Sequence, residues 1–158
     1  MTDENTVVAR RGDDMAAAVL REVGRLAHMT DCAVAARLPG PVTVAQYAVL
    51  NTLATSDGLS ITQLAETHTV SQPTMSSTVA KLRGRGLVET RSKPGDRRAR
   101  FVTLTQEGRD IKASCDAAAR PVLSEVAAQI SASEWMSLQQ IVSGLNGHLS
   151  ETLNIQDS

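Results

Sequence analysis

The sequence is poor in aromatic residues and in cysteine. Only Tyr47, Phe101 and Trp135 are aromatic among its 158 residues, so alanine, valine and leucine must fill most of the core. The two cysteines, Cys32 and Cys115, lie far apart and outside any Cys-x-x-Cys spacing. This placement argues against a disulfide framework and against a structural zinc site, so packing alone has to hold the fold.

Long apolar runs and catalytic motifs are also missing. The sequence has no stretch of about 18 apolar residues that could cross a bilayer, and its acidic start lacks the apolar segment of a signal peptide. We therefore expect a cytoplasmic protein without a membrane partner. The sequence contains no glycine-rich phosphate loop, no Gly-x-Ser-x-Gly turn and no histidine-rich motif. We therefore expect that the protein is not an enzyme and that it binds no cofactor. The histidines His28, His68 and His148 form no ligand cluster, so no metal site is predicted.

Charge is distributed unevenly along the chain, although the net charge is only -1. Residues 81–112 contain 10 lysines and arginines against 4 acidic residues, a net charge of +6. Residues 1–80 carry a net charge of -3 and residues 113–158 a net charge of -4. Positive charge concentrated in a short segment is typical of an element that binds a polyanion. A solvated charged face is the alternative explanation, and neighbouring motifs must decide between the two.

Capping signals and apolar periodicity predict six helices. Residues 1–12 should form a flexible arm, and a long helix should run from Asp13 or Asp14 to about Leu38. The reciprocal capping pattern, a hydroxyl residue followed three residues later by Gln or Glu, opens three further helices: Thr43 with Gln46, Ser60 with Gln63, and Ser131 with Glu134. Ser71 is placed to cap a fourth, with Pro73 in its first turn. The remaining helix should begin at Thr105, with Pro121 bending or interrupting it.

Two short segments have the alternating pattern of strands. Residues 87–91 and 100–104 flank a charged segment that contains Pro94-Gly95, which predicts a hairpin with its charges at the tip. The predicted fold class is therefore mainly α with a small β-hairpin wing (α+β). The hairpin follows two short helices joined by a tight turn, and long helices lie at both ends of the chain.

Several sequence motifs fall within residues 43–108. The most specific is the run of residues 96–108, DRRARFVTLTQEG, which combines Asp-Arg-Arg, a strand and Leu-Thr-x-x-Gly. Residues 59–65 (LSITQLA), Val70-Ser71, and Leu82 with Gly86-Leu87-Val88 accompany it. With these motifs the chain resembles the MarR family of winged-helix transcriptional regulators. The resemblance implies a winged helix-turn-helix DNA-binding domain over residues 43–105 and a helical dimerisation region formed by residues 13–42 and 106–158.

By this resemblance, the helix after Ser71 lies in the major groove of double-stranded DNA, with its first residues at base edges. Gln72 is the best candidate for reading a base, because an amide binds adenine in a bidentate way. For Ser71, helix capping is the alternative role. Many relatives have a basic residue where Ser77 stands, so this chain departs from the pattern there. The predicted recognition residues are Ser71, Gln72, Thr74, Ser76, Ser77 and Lys81.

The hairpin tip should contact DNA differently. A narrow minor groove attracts arginine. The resemblance implies that Arg98 is the arginine inserted into the minor groove, that Asp96 orients its side chain, and that Arg97 contacts the DNA backbone. The predicted wing residues are Lys93, Asp96, Arg97, Arg98 and Arg100. Further phosphate contacts are expected from about half of the set Lys81, Arg83, Arg85, Arg91 and Lys93, the others being solvated surface.

The long terminal helices carry more apolar surface than a small domain can bury. The resemblance implies that they pair with a second copy, giving a homodimer on a pseudo-palindromic operator; a monomeric helical bundle is the alternative. The expected function is that of a ligand-responsive repressor. A winged-helix module that binds proteins is the rival interpretation.

Regulators of this family often bind a small lipophilic or phenolic effector beside the dimerisation helices. The resemblance points to a pocket near Leu26, Thr30, Tyr47 and Leu50, although ordinary core packing also explains each of these residues. Some relatives sense oxidants through a cysteine in the first helix, which makes Cys32 a redox candidate. Its neighbour Asp31 disfavours the thiolate that such chemistry needs.

Overall fold

The structure, a computed structural model, describes the backbone of residues 4–93 and 96–156 and the side chains of residues 12–92 and 100–152. Within these residues the chain forms six helices and one antiparallel hairpin, which confirms the predicted fold class. The order of elements is α1 (Glu4–Ala35), α2 (Val44–Ala54), α3 (Ile61–Thr67), α4 (Gln72–Gly84), β1 (Val88–Lys93), β2 (Asp96–Leu104), α5 (Gln106–Ala127) and α6 (Ala132–Gln156).

The first helix is longer than the sequence predicted. It begins at Glu4, so the start predicted at Asp13 or Asp14 was wrong, and residues 4–12 of the predicted arm are helical, while residues 1–3 lie outside the described residues. The prediction rested on the scarcity of apolar residues in this segment. However, residues 5–11 contain neither proline nor glycine, and the acidic Glu4 suits the positive end of the helix dipole.

The capping patterns predicted for α2 and α3 are confirmed. Thr43 Oγ1 accepts the Gln46 backbone N–H at 3.2 Å, and Gln46 Oε1 accepts the Thr43 N–H at 3.3 Å. Ser60 and Gln63 exchange the same pair of bonds at 3.1 and 2.9 Å. Each reciprocal capping pattern gives a partner to two backbone N–H groups that would otherwise have none at the start of the helix.

A tight turn joins α3 to α4. Thr69 N–H bonds to Glu66 O at 3.1 Å and Val70 N–H to Ala65 O at 3.0 Å. These two bonds form a Schellman motif, whose turning residue takes the left-handed conformation. That residue is Thr69, with a φ of 51°, a conformation that β-branched side chains seldom adopt. Ser71 then caps α4 as predicted, accepting the backbone N–H of Thr74 at 3.3 Å.

One buried cluster holds α2, α3, α4 and the hairpin together. Apolar periodicity in the sequence predicts Leu64 and Ala65 on the inner face of α3 and Met75, Val79 and Leu82 on that of α4, and all five belong to the cluster. The same periodicity predicts Val44, Tyr47, Leu50 and Leu53 on the inner face of α2, where Leu50 and Leu53 are buried and Val44 and Tyr47 are half-buried. The cluster consists of Val49, Leu50, Leu53, Leu64, Ala65, Met75, Val79, Leu82, Leu87, Val88, Val102 and Leu104.

The hairpin is longer than predicted and is extended at one edge. Its strands pair from Val88 with Leu104 to Ser92 with Arg100, and the register then shifts. Leu59, just before α3, pairs with Val102 through two backbone bonds of 3.2 and 2.8 Å. The wing is thereby attached directly to the helix-turn-helix.

The junction between α4, the hairpin and α5 explains the Leu-Thr-x-x-Gly motif. Gly86 lies just after the end of α4 and has a φ of 74°. Glycine adopts this left-handed conformation without steric cost. Thr105 Oγ1 donates to Gly86 O at 2.6 Å and accepts the Gly108 N–H at 3.0 Å, so it caps α5 and ties it to that turn. A Cβ built on Gly108 would lie only 1.9 Å from Leu87 O. The motif therefore allows α5 to begin in direct contact with the chain entering β1.

The chain divides into two compact units, residues 1–119 and 120–158. Helix α5 crosses this division and is not interrupted at Pro121. Within the second unit, Trp135 Nε1 donates to Ala127 O at 3.0 Å. Ser131 and Glu134 form the predicted cap of α6, with Ser131 N–H donating to Glu134 Oε2 at 2.7 Å. Hydrogen bonds from Ser131 lower the pKa of Glu134.

Candidate nucleic-acid interface

Helix α4 has one apolar face and one polar face. Met75, Val79 and Leu82 are buried in the core. The six predicted recognition residues all lie on the exposed surface of the helix, so the structure brings them together: Ser71, Gln72, Thr74, Ser76, Ser77 and Lys81. A helix start bearing hydroxyl and amide groups can donate to and accept from base edges.

The polar side chains of this face differ in whether they form hydrogen bonds within the protein. Ser71 Oγ and Thr74 Oγ1 are hydrogen-bonded to each other at 2.8 Å, and Ser71 Oγ also accepts the backbone N–H of Thr74. Both hydroxyl groups therefore already have a partner at the helix start. Ser76 and Ser77 are exposed and form no side-chain hydrogen bond within the described residues. The face thus offers hydroxyl groups beyond its first turn that a ligand can bind.

Gln72 has a partner that the sequence did not reveal. Its Nε2 donates to Thr62 Oγ1 on α3 at 2.5 Å, and both residues are exposed. The contact joins residues ten positions apart and depends on how the two helices cross, which no local pattern encodes. The contact fixes the position of the Gln72 amide at the start of α4.

The cations near the end of α4 fall into two groups. Lys81 and Arg83 lie exposed in its last turn. The Arg85 guanidinium, in contrast, contacts the start of α2 and the segment before it, where its Nη1 lies 3.3 Å from Gln46 Oε1 and 3.4 Å from Pro41 O. The sequence groups Arg85 with the phosphate-binding residues, but the structure gives it a bridging role.

The wing supplies exposed charge of both signs. Arg100 is exposed, whereas Arg91 bonds to Glu89 Oε1 through Nε at 2.9 Å and through Nη2 at 2.5 Å. The side chains of Lys93, Asp96, Arg97 and Arg98 lie outside the described residues. Their contacts with DNA therefore remain predictions made from the family resemblance.

The four residues predicted for an effector pocket differ in burial. Leu50 is fully buried in the core, Leu26 is half exposed, and Thr30 and Tyr47 are partly buried. A cleft of about 200 Å³ lies at the base of the wing, and none of the four contributes to it. Its lining residues are Leu53, Ser56, Asp57, Arg91, Thr103, Leu104 and Arg109.

A polar network joins α2 to α5. The Tyr47 hydroxyl donates to Asp116 Oδ1 at 2.6 Å, and Lys112 Nζ donates to Asp116 Oδ2 at the same distance. Burial and the bond to Asp116 raise the pKa of Tyr47, so the phenol remains a donor at neutral pH. The network fixes the position of Tyr47 against α5.

The two cysteines have different surroundings. Burial, followed by the charge of Asp116, raises the pKa of Cys115, which disfavours the reactive thiolate. Cys32 is exposed on α1, with its Sγ 3.7 Å from His28 Nε2. Neither cysteine belongs to a metal-binding group of three or more ligands within the described residues.

An exposed hydroxyl-rich helix, held by a tight turn and followed by a basic hairpin, defines the winged helix-turn-helix class. Comparison with known proteins identifies the family. The sequence model of the MarR family matches residues 41–99. The transcriptional regulator HosA of Escherichia coli O111:H- is 33% identical over 101 residues, which cover 64% of this chain and 75% of that protein. The chain belongs to the MarR family of transcriptional regulators, and it is not an enzyme.

Solved structures share the fold. CouR from Rhodococcus jostii RHA1, solved bound to p-coumaroyl-CoA, matches with a TM-score of 0.73 and 23% identity over 78% of this chain and 87% of CouR. Apo MarR from E. coli matches with a TM-score of 0.63 and 25% identity over 77% of this chain and 95% of MarR. Within the part of the chain that the structure describes, no helix is long and apolar enough to span a membrane.

Proposed function

We propose that this regulator binds a pseudo-palindromic operator as a homodimer and represses transcription from it. The observation that carries the proposal is the exposed polar face of α4, together with the exposed cations Lys81 and Arg83 in its last turn and Arg100 on the wing. A helix of this kind fits the major groove, and two copies related by a two-fold axis would contact successive half-sites.

Exposed apolar residues on two helices support the dimer. On α1 they are Met15, Val19, Leu20, Val23, Leu26 and Met29, and on α6 they are Met136, Leu138, Ile141, Leu145 and Leu149. Monomeric soluble proteins rarely leave such long apolar stripes in water. A second copy of the chain would bury them, as the family resemblance implies.

The proposal is tested with duplexes selected from a random-sequence library, measured by fluorescence anisotropy. Arg98→Ala should weaken operator binding by about 1–3 kcal/mol, because it removes the predicted minor-groove arginine. Arg21→Ala removes the same charge from the exposed surface of α1 and should change affinity little. Equal affinities of Arg98→Ala and the wild type would contradict the assigned role of the wing.

Salt dependence provides a second readout in the same titration. If the dimer neutralises about six to ten phosphates, affinity should fall about 10³- to 10⁵-fold between 50 and 200 mM salt. A complex that hardly responds to salt would contradict the phosphate contacts. No binding at low salt would favour the rival interpretation, in which the winged helix binds other proteins.

Ligand response forms the second part of the proposal. CouR was solved with p-coumaroyl-CoA, which supports an aromatic effector for a chain of the same fold. Leu26, Thr30 and Tyr47 remain candidates for its contacts, whereas Leu50 is fully buried in the core. Addition of p-coumaroyl-CoA or simple phenolic acids should lower operator affinity by favouring a different spacing of the two α4 helices. Unchanged operator affinity with all of these compounds would contradict the proposed aromatic effector, but it would not contradict the proposed DNA binding.

A further inference from the structure

Gln72 and Thr62 occupy the starts of two helices that a rigid turn joins. Gln72 is the first residue of α4, and Thr62 lies in the first turn of α3. The bonds from Thr69 and Val70 to the last turn of α3 fix the turn, so the two helix starts keep their separation. The bond of 2.5 Å from Gln72 Nε2 to Thr62 Oγ1 spans that separation.

The chemistry of a carboxamide makes this bond informative. The amide nitrogen has two N–H donors, and the oxygen is an acceptor. When Thr62 accepts one N–H, the other N–H and Oε1 remain as a donor–acceptor edge. That edge matches adenine, which offers N7 as an acceptor and N6 as a donor in the major groove. Guanine offers two acceptors, N7 and O6, and does not match it.

We propose that Thr62 is a positioning residue for base reading, holding the Gln72 amide in the orientation that selects adenine over guanine. Without the Thr62 hydroxyl the amide can rotate and present its NH₂ group to either purine. The inference rests on the proposed function, because it assumes that α4 enters the major groove. It adds a residue of α3 to the determinants of specificity, although Thr62 need not touch a base.

The experiment compares five proteins: wild type, Thr62→Val, Thr62→Ser, Gln72→Ala and the double variant Thr62→Val/Gln72→Ala. Dissociation constants are measured for the selected operator, for operators with adenine-to-guanine changes in each half-site, and for random duplex DNA. The position assigned to Gln72 is the one at which Gln72→Ala loses discrimination. Thermal melting of each variant verifies that it is folded.

At that position the wild type should prefer adenine by about fivefold to a hundredfold. Thr62→Val should reduce the preference by about fivefold or more and leave the affinity for random DNA unchanged. Thr62→Ser keeps the hydroxyl and should retain the preference, and Thr62→Val should have no further effect in the Gln72→Ala background. A purely structural role for Thr62 would not produce this pattern.

Three outcomes would overturn the inference. Thr62→Val could weaken specific and random DNA equally, which would make Thr62 a phosphate contact. It could have the same effect with and without Gln72, or Thr62→Ser could fail to retain the preference. A wild-type protein that selects no sequence would refute the proposed function itself, a result distinguishable from these three because it precedes any comparison of variants.

Discussion

Gly108→Ala is expected to lower the free energy of unfolding by about 3 kcal/mol, within the range of severe overpacking. The added Cβ would lie 1.9 Å from Leu87 O and 2.9 Å from Leu87 C. Both atoms belong to the backbone, so no side-chain rotation can relieve the clash. Relief requires α5 to move away from β1, which would strain the bonds that Thr105 makes to Gly86 and Gly108.

Urea unfolding followed by circular dichroism measures this effect, at one protein concentration because dimerisation would contribute to stability. Gly84→Ala is the matched control. It lies in the same lobe, at the end of α4, and a Cβ added there would have no atom within 4 Å. Alanine there should stabilise the helix by about 0.5–1 kcal/mol. A loss below about 1 kcal/mol for Gly108→Ala would show that α5 can shift without cost.

Features that depend on neighbouring residues could be predicted from the sequence. The caps at Thr43, Ser60 and Ser71 involve partners three residues away, so the pattern itself specifies the hydrogen bonds. The buried faces of α3 and α4 follow from helical periodicity in the same way. The start of α1 was missed because helical propensity there is carried by residues that are not apolar.

Features that depend on tertiary crossing could not be predicted. The bond between Gln72 and Thr62 and the link from Arg85 to Gln46 join different helices. The glycine in Leu-Thr-x-x-Gly marked the family, but only the contact with Leu87 shows why Gly108 is required. Sequence reasoning thus located helix α4 and its polar face and missed the contacts that position them.

Several cations of the segment 81–112 already have partners within the protein. Arg85 bridges to Gln46, Arg91 pairs with Glu89, and Lys112 pairs with Asp116. Exposed ion pairs contribute little stability, about 1 kcal/mol or less, so phosphate can compete for Arg91. Among the described cations of this segment, Lys81, Arg83 and Arg100 are exposed and donate no side-chain hydrogen bond, so these are the residues that we propose for phosphate contacts.

Leu145→Asp is expected to convert the proposed dimer into a monomer. Leu145 is 48% exposed within the chain and lies on the same stripe of α6 as Leu138, Ile141 and Leu149. Loss of the burial that pairing would give to its exposed half removes about 1 kcal/mol per chain, and in a two-fold dimer the loss occurs in both chains. Burying the new carboxylate without a partner would weaken the interface further.

Ser143→Asp provides the control, because it adds the same charge to an exposed position on the opposite side of α6. Light scattering coupled to size exclusion should give a dimer for the wild type and Ser143→Asp, and a monomer of about 17 kDa for Leu145→Asp. Operator affinity should fall when dimerisation is lost, because a monomer contacts one half-site only. A Leu145→Asp protein that stays dimeric, or a wild type that is monomeric, would mean that the apolar stripe of α6 is not the surface that pairs the two chains.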